Sequence, residues 1–311
     1  MKIGLDIMGG DFAPKATVLG AIAAQKALSA DQRIVLFGDK DQALPIIAEQ
    51  GVNPDVFDFV HTTEFIGMGE HGTKSVLQKP NSSISLGYQY LKDDKIDSFA
   101  SAGNTGAMLV GAIFSVKPVA GVIRPAVATN VPKLKSGFGI MLDVGANADC
   151  KPEVLTQFGI LGSLYAEHVY NLTNPKVALM NIGEEEEKGN VLTQATFPLL
   201  QKTNLNFVGN IEGRDLFNDK ADVIVCDGFT GNVMLKLAET FYILTLKKGF
   251  KDEFFDRFNY EQYGGSPILG INAPVLIGHG ISTPEAIKNM VLLSRTMIQS
   301  GFIEKVKEAF K

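Results

Sequence analysis

The 311-residue sequence holds only two cysteines, Cys150 and Cys226. That leaves no material for a disulfide framework or a cysteine-rich metal site, and it points to a reducing, cytoplasmic compartment. No apolar run approaches the ~18 to 20 residues that a membrane-crossing helix requires. The opening stretch MKIGLDIMGGDF carries Asp6 and Asp11, so it reads as a strand and a loop rather than the apolar core of a signal peptide. A basic excess is also missing. Lys and Arg number 29 against 34 Asp and Glu, a formal charge of -5, which argues against a general nucleic-acid binder while leaving room for a local basic patch. Neither a Walker pattern nor G-x-G-x-x-G occurs, so nucleotide binding has no positive support. There is no fixed-period repeat and no low-complexity linker.

What is present is a rhythm. Short runs rich in Val, Ile and Phe alternate with longer helical patterns, and Gly, Asp or Asn marks the joints. Strands are expected at Lys2–Met8, Arg33–Phe37, Ser98–Ser101, Gly139–Asp143, Val177–Asn181 and Val223–Cys226. Helices are expected from Pro14 to about Leu28, near Asp41–Gln50, after Pro152, from about Asn190, and through the apolar stretch that follows Thr230. Such β-α alternation predicts a mainly parallel sheet covered by helices on both faces. We read residues 1–311 as one α/β/α domain, with a short helical extension at about 233–262.

Ligands of parallel α/β sheets bind outside the carboxyl ends of the strands. Five expected strand ends here carry Gly with Asp or Asn, at residues 9–11, 103–106, 143–147, 181–190 and 227–232. Glycine lets backbone amides approach a ligand closely, and a helix N-terminus offers unpaired N–H groups to an anion. A small oxyanion such as phosphate suits such loops, although each alone is also an ordinary capped turn. Gln78-Lys79-Pro80-Asn81-Ser82-Ser83 adds an ammonium and two hydroxyls before a helix, which reads either as a helix cap or as an anion cradle. Glu184–Glu187 reads as a solvated acidic run, with Lys188 and Asn190 opening the next helix.

Asp6 with Met8-Gly9-Gly10-Asp11, Lys79 with Ser82-Ser83, Ser101-Ala102-Gly103-Asn104-Thr105-Gly106, Leu142-Asp143-Val144-Gly145-Ala146-Asn147, Asn181-Ile182-Gly183-Glu184, Asp227-Gly228-Phe229-Thr230-Gly231-Asn232, Tyr263-Gly264-Gly265 and Gly278-His279-Gly280 follow one another along the chain. In this order they resemble the signatures of the phosphate acyltransferase family (PlsX type). The resemblance implies a Rossmann-like three-layer α/β/α sandwich related to the phosphotransacetylase and isocitrate dehydrogenase-like fold. It implies a homodimer that moves a fatty acyl group from acyl carrier protein to inorganic phosphate, with no cofactor. The acyl phosphate would serve phosphatidic acid synthesis and pass to a membrane glycerol-3-phosphate acyltransferase.

Under that resemblance, Lys79, Ser82, Ser83, Asn104 and Thr105 are expected to bind phosphate. Lys188 is expected to stabilise the oxyanion or the departing thiolate, with Asn147, Asn190, Thr230 and Asn232 as donors. Asp6, Asp11, Asp143 and Asp227 are expected to orient those groups, a carboxylate Mg²⁺ site remaining the alternative. Gly9, Gly10 and His279 complete the substrate-binding set. A covalent route through Cys150 or Cys226 is a rival, as are a dehydrogenase of related fold and a module that only sequesters acyl chains. The chain departs from the family in one place. Only about Thr240–Gln262 is available where relatives carry a longer helical insertion tied to membrane contact, so any peripheral attachment is expected to be weak. Lys236, Lys247, Lys248 and Lys251 are candidates for docking an acidic carrier protein.

Overall fold

The computed structural model describes residues 1–311, the side chain of Tyr260 excepted. In chain order its elements are β1 (Lys2–Asp6), α1 (Lys15–Gln25), β2 (Arg33–Gly38), α2 (Lys40–Glu49), β3 (Phe57–His61), α3 (Gly72–Gln78), α4 (Ser83–Lys92), β4 (Ser98–Ser101) and α5 (Thr105–Gly111). There follow β5 (Ala126–Pro132), β6 (Phe138–Leu142), α6 (Pro152–Tyr170), β7 (Lys176–Met180), α7 (Val191–Gln201), β8 (Asn206–Ile211), β9 (Val223–Val225), α8 (Gly228–Lys248) and α9 (Glu253–Asp256). The chain ends with β10 (Ser266–Leu269), β11 (Val275–Ile277), α10 (Pro284–Gln299) and α11 (Phe302–Ala309). These elements form two compact units, one of Met1–Pro118 with Tyr260–Gln299 and one of Val119–Asn259 with Ser300–Lys311.

In the first unit the strands run β3-β2-β1-β4-β11-β10. All neighbours are parallel except the β10–β11 pair. The strands are nearly continuous apolar runs because helices cover both faces, leaving no solvated side to alternate with. Four of the five residues of β1 are buried, as are five of the six in β2. Helix α10 packs against α1, and the two meet at Gly20, where a methyl group would lie 2.5 Å from Cβ of Ile287. Pro14, expected inside the first helical turn, stands at the cap position and the helix begins at Lys15. The helix also stops three residues short of Leu28. There Ala27 and Leu28 donate to carbonyls three residues back, the tightened bonds of a helix end.

The second unit orders its strands β5-β6-β9-β7-β8, parallel except for β5–β6. Its core is built on α6, where Val154, Leu155, Phe158, Leu161, Tyr165 and Ala166 are buried. Helix α8 starts at an Asp227 cap and ends at Gly249, whose φ of +70° is the left-handed conformation that closes helices. Only Gly228, Gly231 and Ala238 of its 21 residues are buried. Val233, Leu237, Phe241, Ile243, Leu244 and Leu246 are exposed along it. The extension expected at 233–262 is the distal part of α8 followed by the four-residue α9. Among the described residues, no helix is long and apolar enough to cross a membrane.

Candidate active site

Each unit builds its polar loops on one buried aspartate at a strand end. In the first unit this is Asp6, which closes β1 and is 1% exposed. Met8 N–H donates to its Oδ1 at 2.9 Å and the Ser101 hydroxyl to its Oδ2 at 2.6 Å. Burial raises the Asp6 carboxyl above its ordinary value, while the Ser101 and Ser83 hydroxyls and the Met8 and Gly9 amides pull it down. Ser101 in turn accepts from Gly103 N–H at 2.9 Å, so β1 and β4 hold their following loops in one relay. The loops touch at Gly9, where a methyl group would fall 2.6 Å from Gly103 N. Asp11 N–H donates to Gly280 O at 2.7 Å, which brings the His279 loop to the same place. Asp6, Gly9, Gly10, Asp11, Ser83, Asn104 and His279 thus belong to one loop cluster.

Lys79 takes part in a different contact. Its ammonium pairs with Glu70 Oε1 at 2.7 Å and donates to Phe65 O at 3.0 Å. Asn104, which caps α5, directs its side-chain amide to the carbonyls of Gly67, Met68 and Glu70. Lys79 and Asn104 therefore grip the 65–70 loop from two sides. The Lys79 hydrogen bond, with Gly67 N–H and the Ser75 hydroxyl, holds the Glu70 carboxyl down at about 2. A depressed acid favours folding above its unfolded value and loses that contribution as pH falls through about 2, so this clamp stands intact at neutral pH. Ser82 caps α4, accepting from Ser85 N–H, and Thr105 is exposed at the first turn of α5.

In the second unit the corresponding strand-end aspartate is the fully buried Asp143, following β6. Its Oδ1 accepts from the N–H groups of Val127, Gly145 and Ala146. Its Oδ2 accepts from Asn147 N at 2.6 Å and Asn147 Nδ2 at 2.9 Å. Burial raises this carboxyl, and the hydrogen bonds from Ala146, Val127 and the two Asn147 donors oppose it; a cage made only of donors matches the ionised form. The loop so shaped accepts Gly228 N–H on Asn147 O at 2.7 Å, and Asn232 Nδ2 on Val144 O at 3.0 Å. Asp143, Asn147, Asp227, Thr230 and Asn232 are therefore one assembly. Both N–H groups of the Asn147 side chain are engaged, one with Asp143 and one with Pro125 O. The first turn of α8 lies so close that a methyl group on Gly231 would sit 2.0 Å from Asp143 O. Gly231→Ala should accordingly displace the helix start, lower the melting temperature and cut turnover at least tenfold, read by calorimetry and initial rates.

Beside this assembly lies a cavity of about 670 Å³. Asn190, Asp227 and Thr230 line it, whereas Lys188, Asn147, Asn232 and Asp143 do not. Asn190 caps α7, and Asn181 Nδ2 donates to Lys188 O at 3.1 Å. The Lys188 side chain is exposed, and Glu184 in the acidic run pairs with Lys220 at 2.6 Å. Two groups escaped sequence reasoning. Glu70 precedes Lys79 by nine residues across a loop, a spacing that signals no contact. Met234 and Ala238 were invisible as cavity lining because both helix faces read as apolar.

Neither thiol is a ready nucleophile. Burial pushes Cys150 up to about 12, with the Asp143 and Asp227 charges adding to it, and burial likewise raises the fully buried Cys226 thiol well above its ordinary value. Replacing both with alanine should leave most turnover in place. Labelled acyl chain trapped on either sulfur during turnover would overturn a direct transfer.

The two mainly parallel α/β units, with Gly-rich loops at their strand ends, have a fold similar to that of solved phosphotransacylases. The structure superposes on a phosphotransacetylase from Streptococcus pyogenes with a TM-score of 0.70 at 14% identity, covering 96% of this chain and 94% of that one. A branched-chain phosphotransacylase from Enterococcus faecalis gives 0.65 at 14% identity, covering 96% and 99%; at such identity the likeness concerns the fold alone. The family model described as fatty acid synthesis protein matches residues 1–305. The sequence is 42% identical over 329 residues to a phosphate acyltransferase of Dictyoglomus turgidum, covering 99% of this chain and 97% of the relative. It is 42% identical over 330 residues to that of Desulforamulus reducens, covering 100% and 98%. This chain belongs to that family of fatty acid synthesis proteins.

Proposed function

We propose that this protein transfers a fatty acyl group from acyl carrier protein to inorganic phosphate, forming an acyl phosphate for phospholipid synthesis. The observation that supports it is end-to-end identity of 40–42% with proteins named phosphate acyltransferase. In the step itself, a phosphate oxygen attacks the thioester carbonyl carbon and forms the C–O bond. The resulting oxyanion collapses, the C–S bond breaks, and the thiolate leaves and takes up a proton. Thioesters are already activated, so positioning and electrostatic stabilisation supply the acceleration without an acyl-enzyme.

In this reading Lys79, Ser82, Ser83, Asn104 and Thr105 serve phosphate, with Asp6, Gly9, Gly10, Asp11 and His279 shaping the loops around them. Lys188 stabilises the oxyanion or the thiolate; Asn190, Thr230 and Asn232 act as donors, and Asp143 and Asp227 orient them, with Asn147, whose N–H groups are all engaged, shaping the loop. The protein works as a homodimer in the cytoplasm, the exposed apolar residues of α8 giving a surface for pairing. Lys247, Lys248 and Lys251, exposed beside that surface, meet the acidic carrier protein. Attachment to the membrane is peripheral and weak, and the product passes to a membrane glycerol-3-phosphate acyltransferase. Incubation of protein with acyl carrier protein thioester and phosphate tests the reaction. Free thiol and acyl phosphate should appear in equal amounts, and thiol release independent of phosphate would refute it.

A further inference from the structure

Along α8 the lining of the second unit's cavity is polar only at the helix start. Asn181, Asn190, Thr193, Asp227 and Thr230 meet where β7 and β9 end and α7 and α8 begin. The other lining residues are mostly apolar and include Leu155, Leu179, Met180, Leu216 and Phe217. The remaining wall is a single stripe of α8: Thr230, Met234, Leu237, Ala238 and Phe241. These positions follow the three- and four-residue spacing of one helix face. The stripe begins at the Asp227 assembly and leads away from it. Leu237 and Phe241, 55% and 53% exposed, stand as a wall whose apolar surface nothing in the second unit covers.

Resting on the acyl transfer proposed above, we propose that this cavity holds the fatty acyl chain, its thioester end at the Asp227–Thr230 mouth and its methyl end toward Phe241. One polar end and one long apolar wall are what an acyl thioester presents, and about 670 Å³ falls in the range of small-molecule sites. The helix rises about 16 Å from Thr230 to Phe241 at ~1.5 Å per residue. An extended chain advances roughly 1.2 Å per bond, so the stripe accommodates a chain of roughly thirteen bonds. Val233, Ile243, Leu244 and Leu246 are exposed but do not line the cavity. Of these, Ile243 and Leu246 lie across the helix from the stripe, so a face for a second copy of the chain remains apart from the acyl wall.

The test is chain-length selectivity. With wild-type protein, kcat/KM should rise by roughly fourfold per methylene from a four-carbon donor and flatten beyond about fourteen carbons. Ala238→Phe fills the middle of the stripe. It should lower the ratio of kcat/KM for a sixteen-carbon over a four-carbon donor at least tenfold, with the KM for phosphate little moved. Met234→Gln, which keeps the volume and adds polarity, should lower the same ratio and guards against a misfolded Ala238→Phe. Binding of hexadecanoyl pantetheine and of acetyl pantetheine, measured by calorimetry, separates the two proposals. If wild-type protein makes no acyl phosphate yet binds the long thioester far more tightly, and Ala238→Phe abolishes that difference, the cavity assignment stands and the reaction does not. Equal loss for long and short donors, or an unchanged ratio in both variants, overturns the assignment. So does a change in oligomeric state by sedimentation without any change in the ratio, which would make the cavity part of a contact between copies.

Discussion

Lys79→Ala is expected to raise the KM for phosphate at least tenfold, since a charge-assisted contact contributes ~1.5 to 3 kcal/mol. The structure sharpens this experiment, because the same ammonium is already paired with Glu70 at 2.7 Å. A phosphate ligand and a loop clamp make opposite demands on that carboxylate. If Lys79 serves phosphate, Glu70→Gln removes a competitor for the ammonium, and the KM for phosphate should stay level or fall while Lys79→Ala raises it. If Lys79 only holds the 65–70 loop, both variants should lose thermal stability together and leave phosphate saturation unchanged. The pair of variants, assayed for phosphate KM and melting temperature, decides between anion binding and loop support.

Asp143→Ala is expected to cost more stability than any other single change in the polar loops. Asp143 is 0% exposed, and removal of its carboxylate strands the amides of Val127, Gly145, Ala146 and Asn147 together with the Asn147 side chain. Orphaned buried donors cost ~1 to 3 kcal/mol each before the loop relaxes. A net loss on the order of 4 kcal/mol, or about 6 °C in the melting temperature of a 311-residue chain, is the expected result. Turnover should fall with it, because the loop that Asp143 shapes also receives Gly228 and Asn232 of the α8 start. Asp143→Asn should recover little, since its amide N–H groups would face a cage of donors. A melting temperature within a degree or two of wild type would show that the carboxylate does not hold this loop.

The features legible in the sequence were those with local causes. Buried strands announce themselves as apolar runs, and β4 spans the expected Ser98–Ser101 without change. Capping chemistry acts within three residues, so the expected start near Asn190 appears as a side-chain cap on Thr193, whereas the helix expected after Thr230 begins earlier, at Gly228, under an Asp227 cap. The order of the Gly-rich loops was likewise enough to show the family. The antiparallel pairs β5–β6 and β10–β11 were not legible, nor were the edge strands β3 and β8. Strands of three to seven residues take their identity from neighbours far along the chain, as β11 does from β4. The Lys79–Glu70 pair depends on how the 65–70 loop folds back, which no periodicity encodes. For α8, hydrophobic residues on every face said only that more than one surface needed covering. Which stripe lines a cavity was decided by where β7, β9 and the turn at Leu216–Phe217 place their side chains, a matter of packing between segments rather than of pattern within one.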